Sequence, residues 1–342
     1  MNTRELESVA RTLVASGKGI LALDESTPTC GKRFAAEGIE NTEENRRDYR
    51  EMLLTAPGLG DYISGAILYD ETLRMKGKDG TPFPAIMDSA GIIPGIKVDT
   101  GAKDLAGHPG EKITEGLDGL RDRLAEYKKL GARFCKWRAV ITIGDGMPSR
   151  GCIEGNAHAL ARYAALCQEA ELVPIVEPEV LFDGDHTIER CYEVTVETQA
   201  TLFRELRSQR VLLEGTVLKP SMVLAGKDCP QQAGVTEVAE QTLRCLQNAV
   251  PAAVAGVAFL SGGQSDELAT AHLNAMNQIG KNLPWPMTFS YARALQAPAL
   301  KTWGGNSNNV VTAQKILAHR ASCNSAAAQG RYDAAMDKEF AA

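Results

Sequence analysis

The chain has 342 residues, 44% hydrophobic and 23% charged, with a formal net charge of −6 at pH 7. That length supports a large core, the charge leaves no broad basic surface for nucleic acid, and no apolar run approaches the ~20 residues of a membrane span. Eight cysteines without a CxxC spacing and five scattered histidines read as buried reduced thiols and ordinary side chains, not as a disulfide framework or a metal site.

The N-terminal segment MNTRELESVARTLVASGKG carries Glu5 and Glu7 among periodic apolar residues. It reads as a helix over about residues 3–16 and not as a signal or transit peptide, so a cytoplasmic protein is expected. The first strand-like run is Gly19 to Leu23, ending at Asp24. Ile63 to Tyr69 is the second. Ile92 to Val98, interrupted by Pro94, is the third. Leu117, Leu120, Leu124 and Tyr127 then step at helical spacing and stop at Gly131, a suitable C′ glycine.

Phe134 to Val140 is the fourth strand, and Val173 to Val176, ending at Glu177, the fifth. A helix from His186 to Leu206 follows Asp185 as its N-cap. The sixth strand, Thr216 to Leu218, ends in Lys219 and is stopped by Pro220. Further helices read at Val238 to Val250, Glu267 to Ile279 and Val310 to Ala328. The seventh strand, Gly256 to Leu260, ends in Ser261-Gly262-Gly263. The eighth, Met287 to Phe289, ends in Ser290-Tyr291-Ala292-Arg293.

Eight strands alternating with helices predict an α/β fold, a (β/α)8 barrel spanning residues 1–342 as a single domain, with an extra N-terminal helix, a C-terminal helix and a short tail from about residue 330. A doubly wound sheet is the alternative. No GxGxxG follows the first strand and no GxxxxGK[ST] occurs, which removes the usual nucleotide signals.

The polar residues fall at strand C-terminal ends, where a barrel builds its active site. Lys136 and Arg138 are two apart and point the same way, as do Glu177 and Glu179. With Asp24, Lys97, Lys219 and Arg293 they give five cations against three carboxylates at one mouth. A structural ion-pair network would balance its charges, so the surplus points to an anionic ligand. A lysine ending an apolar strand is, taken alone, an ordinary surface residue; beside a second cation such as Lys136 it becomes a nucleophile toward carbonyls. An iminium on Lys219 would act as an electron sink without a metal. Glu177 and Glu179, repelling each other, suit a proton shuttle, and Asp24 suits a base for a hydroxyl proton.

Two phosphate positions read from the sequence. The turn Ser261-Gly262-Gly263 before a helix offers backbone N–H groups, with Arg293 nearby. Ser26, Thr29, Lys32 and Arg33, with Lys97, form the second cluster. Two anion sites flanking one lysine imply a bisphosphorylated sugar.

The segments LALDEST, GIKVD, KWR, VPIVEPE, LLEGTVLKP, FLSGGQS and FSYARALQAPALKTWGG resemble, in order, those of class I fructose-bisphosphate aldolases, and the resemblance runs from about Arg4 to Tyr332. It implies a Schiff base at Lys219, a proton shuttle at Glu177 tuned by Glu179, an aspartate at Asp24 acting on the C4 hydroxyl, and assistance from Lys136, with Arg138 beside it. It implies C1-phosphate contacts at Ser261, Gly262 and Arg293, with Ser290 and Ala292 in the same segment, and C6-phosphate contacts at Ser26, Thr29 and Lys97. It further implies a homotetramer and reversible cleavage of fructose 1,6-bisphosphate to dihydroxyacetone phosphate and glyceraldehyde 3-phosphate, with no cofactor, metal, nucleic acid or membrane partner.

Three departures stand out. Ala292 replaces the glycine of the family's SYGR segment and keeps an N–H if its φ is negative. Thr29 replaces a serine and keeps the hydroxyl. The segment MDKEFAA carries no tyrosine, whereas animal members end in one that assists proton exchange at C3 of the triose, so slow exchange is expected. Another Schiff-base sugar-phosphate aldolase, a transaldolase-like enzyme and a non-catalytic scaffold are the alternatives.

Overall fold

The computed structural model describes residues 2–338; the last residues of the expected tail, 339–342, lie outside the described residues. Among the described residues ten strands form in chain order: β1 (Gly19–Leu23), β2 (Ile63–Leu68), β3 (Ile93–Lys97), β4 (Gly101–Asp104), β5 (Lys112–Glu115), β6 (Phe134–Ile141), β7 (Val173–Val180), β8 (Val217–Leu218), β9 (Gly256–Phe259) and β10 (Met287–Tyr291). Eight close a parallel barrel in the order β1-β10-β9-β8-β7-β6-β3-β2, and β4 with β5 makes a separate antiparallel hairpin. The expected barrel is thus present with its strands in sequence order. Helices Leu120–Lys129, Arg150–Glu169, Ile188–Ser208, Val235–Ala249, Asp266–Ile279 and Arg293–Trp303 are among those that follow the strands in chain order.

The near-continuous apolar runs are explained by burial on both faces of each strand. Inside the barrel, side chains alternate with a period of two. Phe134 points into an inner apolar cluster with Val173, Ile175, Val217, Ile20, Ala22, Ile67 and Ala258. Leu6, Val9, Ala10, Leu13 and Val14 of the N-terminal helix Thr3–Leu13 and its C-cap join this cluster and close the floor of the barrel. Packing there is tight: a Cβ on Gly95 would lie 2.2 Å from the Phe134 ring. Since β6 continues inward as Lys136 and Arg138, and β7 as Glu177 and Glu179, one periodic pattern makes an apolar floor and a charged mouth.

Several boundaries differ from the sequence expectation. β7 runs on through both glutamates to Val180, because each Glu is an inward-facing strand residue and not part of a following loop. The N-terminal helix ends at Leu13, turned out by Gly17 at φ 70°. The helix after β7 is capped by Thr187, whose side chain accepts from the N–H of Arg190, and not by Asp185. Gly131 does take positive φ, 104°, just past its helix. Pro94 is tolerated within β3, and its carbonyl accepts the N–H of Arg133.

Candidate active site

Lys219 directly follows β8, and its N–H donates to the Val176 carbonyl of β7 at 2.8 Å. This sets the side chain inside the mouth, where it is 3% exposed. Its Nζ lies 2.9 Å from Oε1 of Glu177. The other carboxylate oxygen of Glu177 lies 3.1 Å from Nζ of Lys136, an ion pair that is not a hydrogen bond. Lys136 in turn reaches Oδ2 of Asp24 at 2.6 Å. Four groups, two on strands β6 and β7 and two just past β1 and β8, therefore form a chain Lys219–Glu177–Lys136–Asp24.

The charges fix protonation. Burial raises the affinity of the Glu177 and Asp24 carboxyls for a proton, but Lys136 and Lys219 outweigh it, so both stay below the usual carboxylate range. Burial opposes the charge on Lys136, yet Asp24 and Glu177 hold its ammonium above the usual lysine range. From the sequence, Glu179 is expected to tune Glu177 by repulsion. It turns to the Arg138 guanidinium instead, and Glu177 is held anionic, not partly protonated.

Around this chain lies a cavity of about 350 Å³ open at the mouth. Asp24, Ser26, Thr29, Arg33, Lys97, Lys136, Arg138, Glu177, Glu179, Lys219, Ser261, Gly262, Ser290, Ala292 and Arg293 all line it. Lys32 does not: it is exposed. At 100° per residue, position 32 of the helix Thr27–Ala36 faces away from the buried Cys30 and Phe34.

On one side, the Ser26 and Thr29 hydroxyls lie 3.0 Å apart, beside Arg33, which pairs with buried Glu25. Lys97 pairs with Asp99 at 2.9 Å. On the other side, Ser261 to Gln264 make a turn in which Gly262 and Gly263 take φ 60° and 95°. Glycine meets both values without a Cβ penalty. The Ser290 hydroxyl is buried at the cavity wall with no partner among the described residues. Ala292 keeps a negative φ, −102°, and its backbone N–H is retained, with ψ at −86°, outside the ordinary helical range.

The helix dipole expected behind the glycine turn is placed differently. Helix Asp266–Ile279 starts later and is capped by Ser265, with Asp266 and Glu267 in its first turn. The helix that opens on the cavity is Arg293–Trp303, whose N-cap Ala292 has no side chain to occupy the first N–H groups. This helix carries little sequence signal, since it lacks a polar N-cap and contains Pro298.

Asp99, Glu25, Gly101 and Ala102 also line the cavity and were not singled out as site residues. Asp99 binds Lys97 and the N–H of Gly101 through Oδ1, and the N–H of Arg138 through Oδ2 at 3.1 Å. It thereby ties β3, the β4–β5 hairpin and β6 together. Its spacing from Lys97 was a usable signal; buried Glu25 offered none. Counting Arg33, Lys97, Lys136, Arg138, Lys219 and Arg293 against Asp24, Glu25, Asp99, Glu177 and Glu179 leaves six cations and five carboxylates. The surplus is one, smaller than expected, and it sits at Arg293, which has no ion pair within 4 Å among the described residues.

A family model described as fructose-bisphosphate aldolase class-I matches residues 5–342. A protein of Xanthomonas campestris pv. campestris named probable fructose-bisphosphate aldolase class 1 is 62% identical over 97% of this chain and 99% of its own length. A cytosolic fructose-bisphosphate aldolase of Arabidopsis thaliana is 53% identical over 97% of this chain and 84% of its own. Among solved structures, the aldolase of Plasmodium falciparum, crystallised with TRAP and a small-molecule inhibitor, superposes with a TM-score of 0.95 at 49% identity, covering 96% of this chain and 95% of that one. The chain belongs to the class I fructose-bisphosphate aldolases, glycolytic carbon–carbon lyases.

Proposed function

We propose that Lys219 carries the reaction as a Schiff base with the C2 carbonyl of fructose 1,6-bisphosphate. The observation that supports this most is the Glu177 carboxylate held 2.9 Å from the Lys219 amine. An anionic Glu177 takes a proton from Lys219, freeing the lone pair that attacks C2. The protonated Glu177 then gives that proton to the carbinolamine hydroxyl, and water leaves to form the iminium.

Cleavage follows from the electron sink. Asp24, kept ionised by Lys136, removes the proton of the C4 hydroxyl. The C3–C4 bond breaks, its electron pair moves into the iminium as an enamine, and glyceraldehyde 3-phosphate departs. A proton from water adds to the enamine at C3, Asp24 returns its proton to solvent, and hydrolysis of the imine by a second water releases dihydroxyacetone phosphate and restores the lysine. The reading needs no metal, because the iminium does what a Lewis acid would do.

Phosphate placement sets orientation. The C1 phosphate is assigned to Ser261, Gly262, Ser290, Ala292 and Arg293, where N–H groups and a free guanidinium meet. The C6 phosphate is assigned to Ser26, Thr29, Arg33 and Lys97. With both ends held, C2 and C4 lie over Lys219 and Asp24. Replacing Lys219 with Ala tests the reading: cleavage should fall by at least about 10³-fold in a protein with an unchanged circular dichroism spectrum. Turnover near the parent rate would end it. The family resemblance also carries a homotetramer and a cytoplasmic location; a monomer mass in light scattering would remove the first, and fractionation away from the cytosol the second.

A further inference from the structure

The Ser261–Gln264 turn is held from behind by two buried side chains outside the cavity lining. The Ser261 carbonyl accepts from the N–H of Gln264 at 3.1 Å and again from its side-chain Nε2 at 2.9 Å. The Oε1 of Gln264 lies 2.6 Å from Nδ1 of His272, on helix Asp266–Ile279. An amide oxygen only accepts, so Nδ1 carries the hydrogen and donates. His272 is 1% exposed and burial lowers its pKa to about 4, so the ring is neutral and this tautomer is fixed. Its Nε2 has no partner among the described residues. The amide of Gln264 has one workable orientation: reversed, it would set an oxygen against the Ser261 oxygen and an NH2 against the His272 donor.

A trans peptide is planar, with its C=O and N–H pointing in opposite directions. Fixing the Ser261 oxygen therefore fixes the Gly262 N–H as well. The two positive-φ glycines make the turn possible but do not select this plane, since glycine is the residue most free to rotate.

We propose that His272 and Gln264 are positioning residues for substrate: through the Ser261 carbonyl they hold the Gly262 N–H aimed at the phosphate nearest the Schiff-base lysine. This rests on the reading of Ser261 and Gly262 as phosphate contacts. The geometry gives Gln264 two tasks at once, donating forward to Ser261 and accepting from behind. Neither a Leu nor an ionised Glu, which only accepts, performs both.

The test compares H272L, H272N and Q264E with R293A and the parent enzyme. Asn places an amide N–H where Nδ1 stood, so H272N is the conservative rescue. Each is assayed for KM and kcat with fructose 1,6-bisphosphate, and for borohydride inactivation with dihydroxyacetone, which lacks a phosphate and reads Lys219 alone. H272L and Q264E are expected to raise KM about tenfold, the loss of roughly one hydrogen bond to a charged group, with kcat within about twofold. H272N is expected to recover most of that loss, and dihydroxyacetone inactivation to stay at the parent rate in all three. Purely structural damage would slow that inactivation and would not be rescued, and this pattern overturns the proposal. Unchanged KM in folded Q264E and H272L, with KM raised in R293A, also overturns it while leaving the phosphate reading intact. Unchanged KM in R293A as well removes the phosphate reading, and the proposal falls with it.

Discussion

Lys136 is the residue on which the charges of the site depend. Alone it would be a buried ammonium at a heavy desolvation cost; between Asp24 and Glu177 it is firmly charged, and it keeps both carboxyls below the usual range. Replacing it with Met should lower kcat about 10²–10⁴-fold, since the C4 base and the proton shuttle both lose their partner. The sign of the pH effect follows. A carboxyl with a depressed folded pKa adds stability that is fully present above its unfolded value, about 4, and lost as pH falls through the folded value. Without Lys136, burial is opposed only by Lys219 and the remaining cations, both pKa values rise, and the acid limb of kcat/KM should move to higher pH. An acid limb that stays in place in K136M would show that neither carboxylate owes its ionisation to this lysine. At this scale the sequence was legible in placement: paired residues at i and i+2 on two strands, and a lysine closing an apolar run, do meet at one cavity. What it did not show is partner choice. Glu179 was matched to Glu177 by spacing, yet neighbouring strands place it next to Arg138.

Among the elements, strands were easier to read than helix ends. Apolar runs of three to seven residues survive as strands because both faces are buried. Helix Arg293–Trp303 begins without a polar cap at a cavity lined by Ala292 and Arg293, so the usual start signal is absent there. The β4–β5 hairpin was missed because GAKD and KITE are polar and largely solvent-facing, with no apolar alternation. Lys32 was misplaced since a run of hydroxyls and cations says nothing of which helical face each takes. The glycine turn makes its own prediction. Gly263 sits at φ 95°, and a Cβ there would lie 3.3 Å from a terminal nitrogen of Arg293. G263A should cost about 1–2 kcal/mol in backbone strain and also raise KM for the bisphosphate, because Arg293 is displaced. Urea unfolding with steady-state kinetics checks both, and an unchanged KM would separate the turn from the guanidinium.

For the whole molecule, one alternation divides the barrel interior. Phe134, Val173, Ile175 and Val217 fill its floor against the N-terminal helix, and the next inward positions on the same strands carry the charges. A closed parallel barrel leaves no exposed sheet edge and brings together groups more than 190 positions apart, Asp24 and Lys219, at one mouth. The rigid floor explains how buried ions are held in place: the strands that carry them are packed on both faces. The measurement that tests the central claim most directly is borohydride trapping. The protein is incubated with fructose 1,6-bisphosphate and EDTA, reduced and digested, and its peptides are weighed. A triose- or hexose-phosphate adduct on Lys219, formed in the presence of the chelator, is the predicted result. No adduct, with cleavage abolished by EDTA, would contradict it and transfer the chemistry from the lysine to a metal.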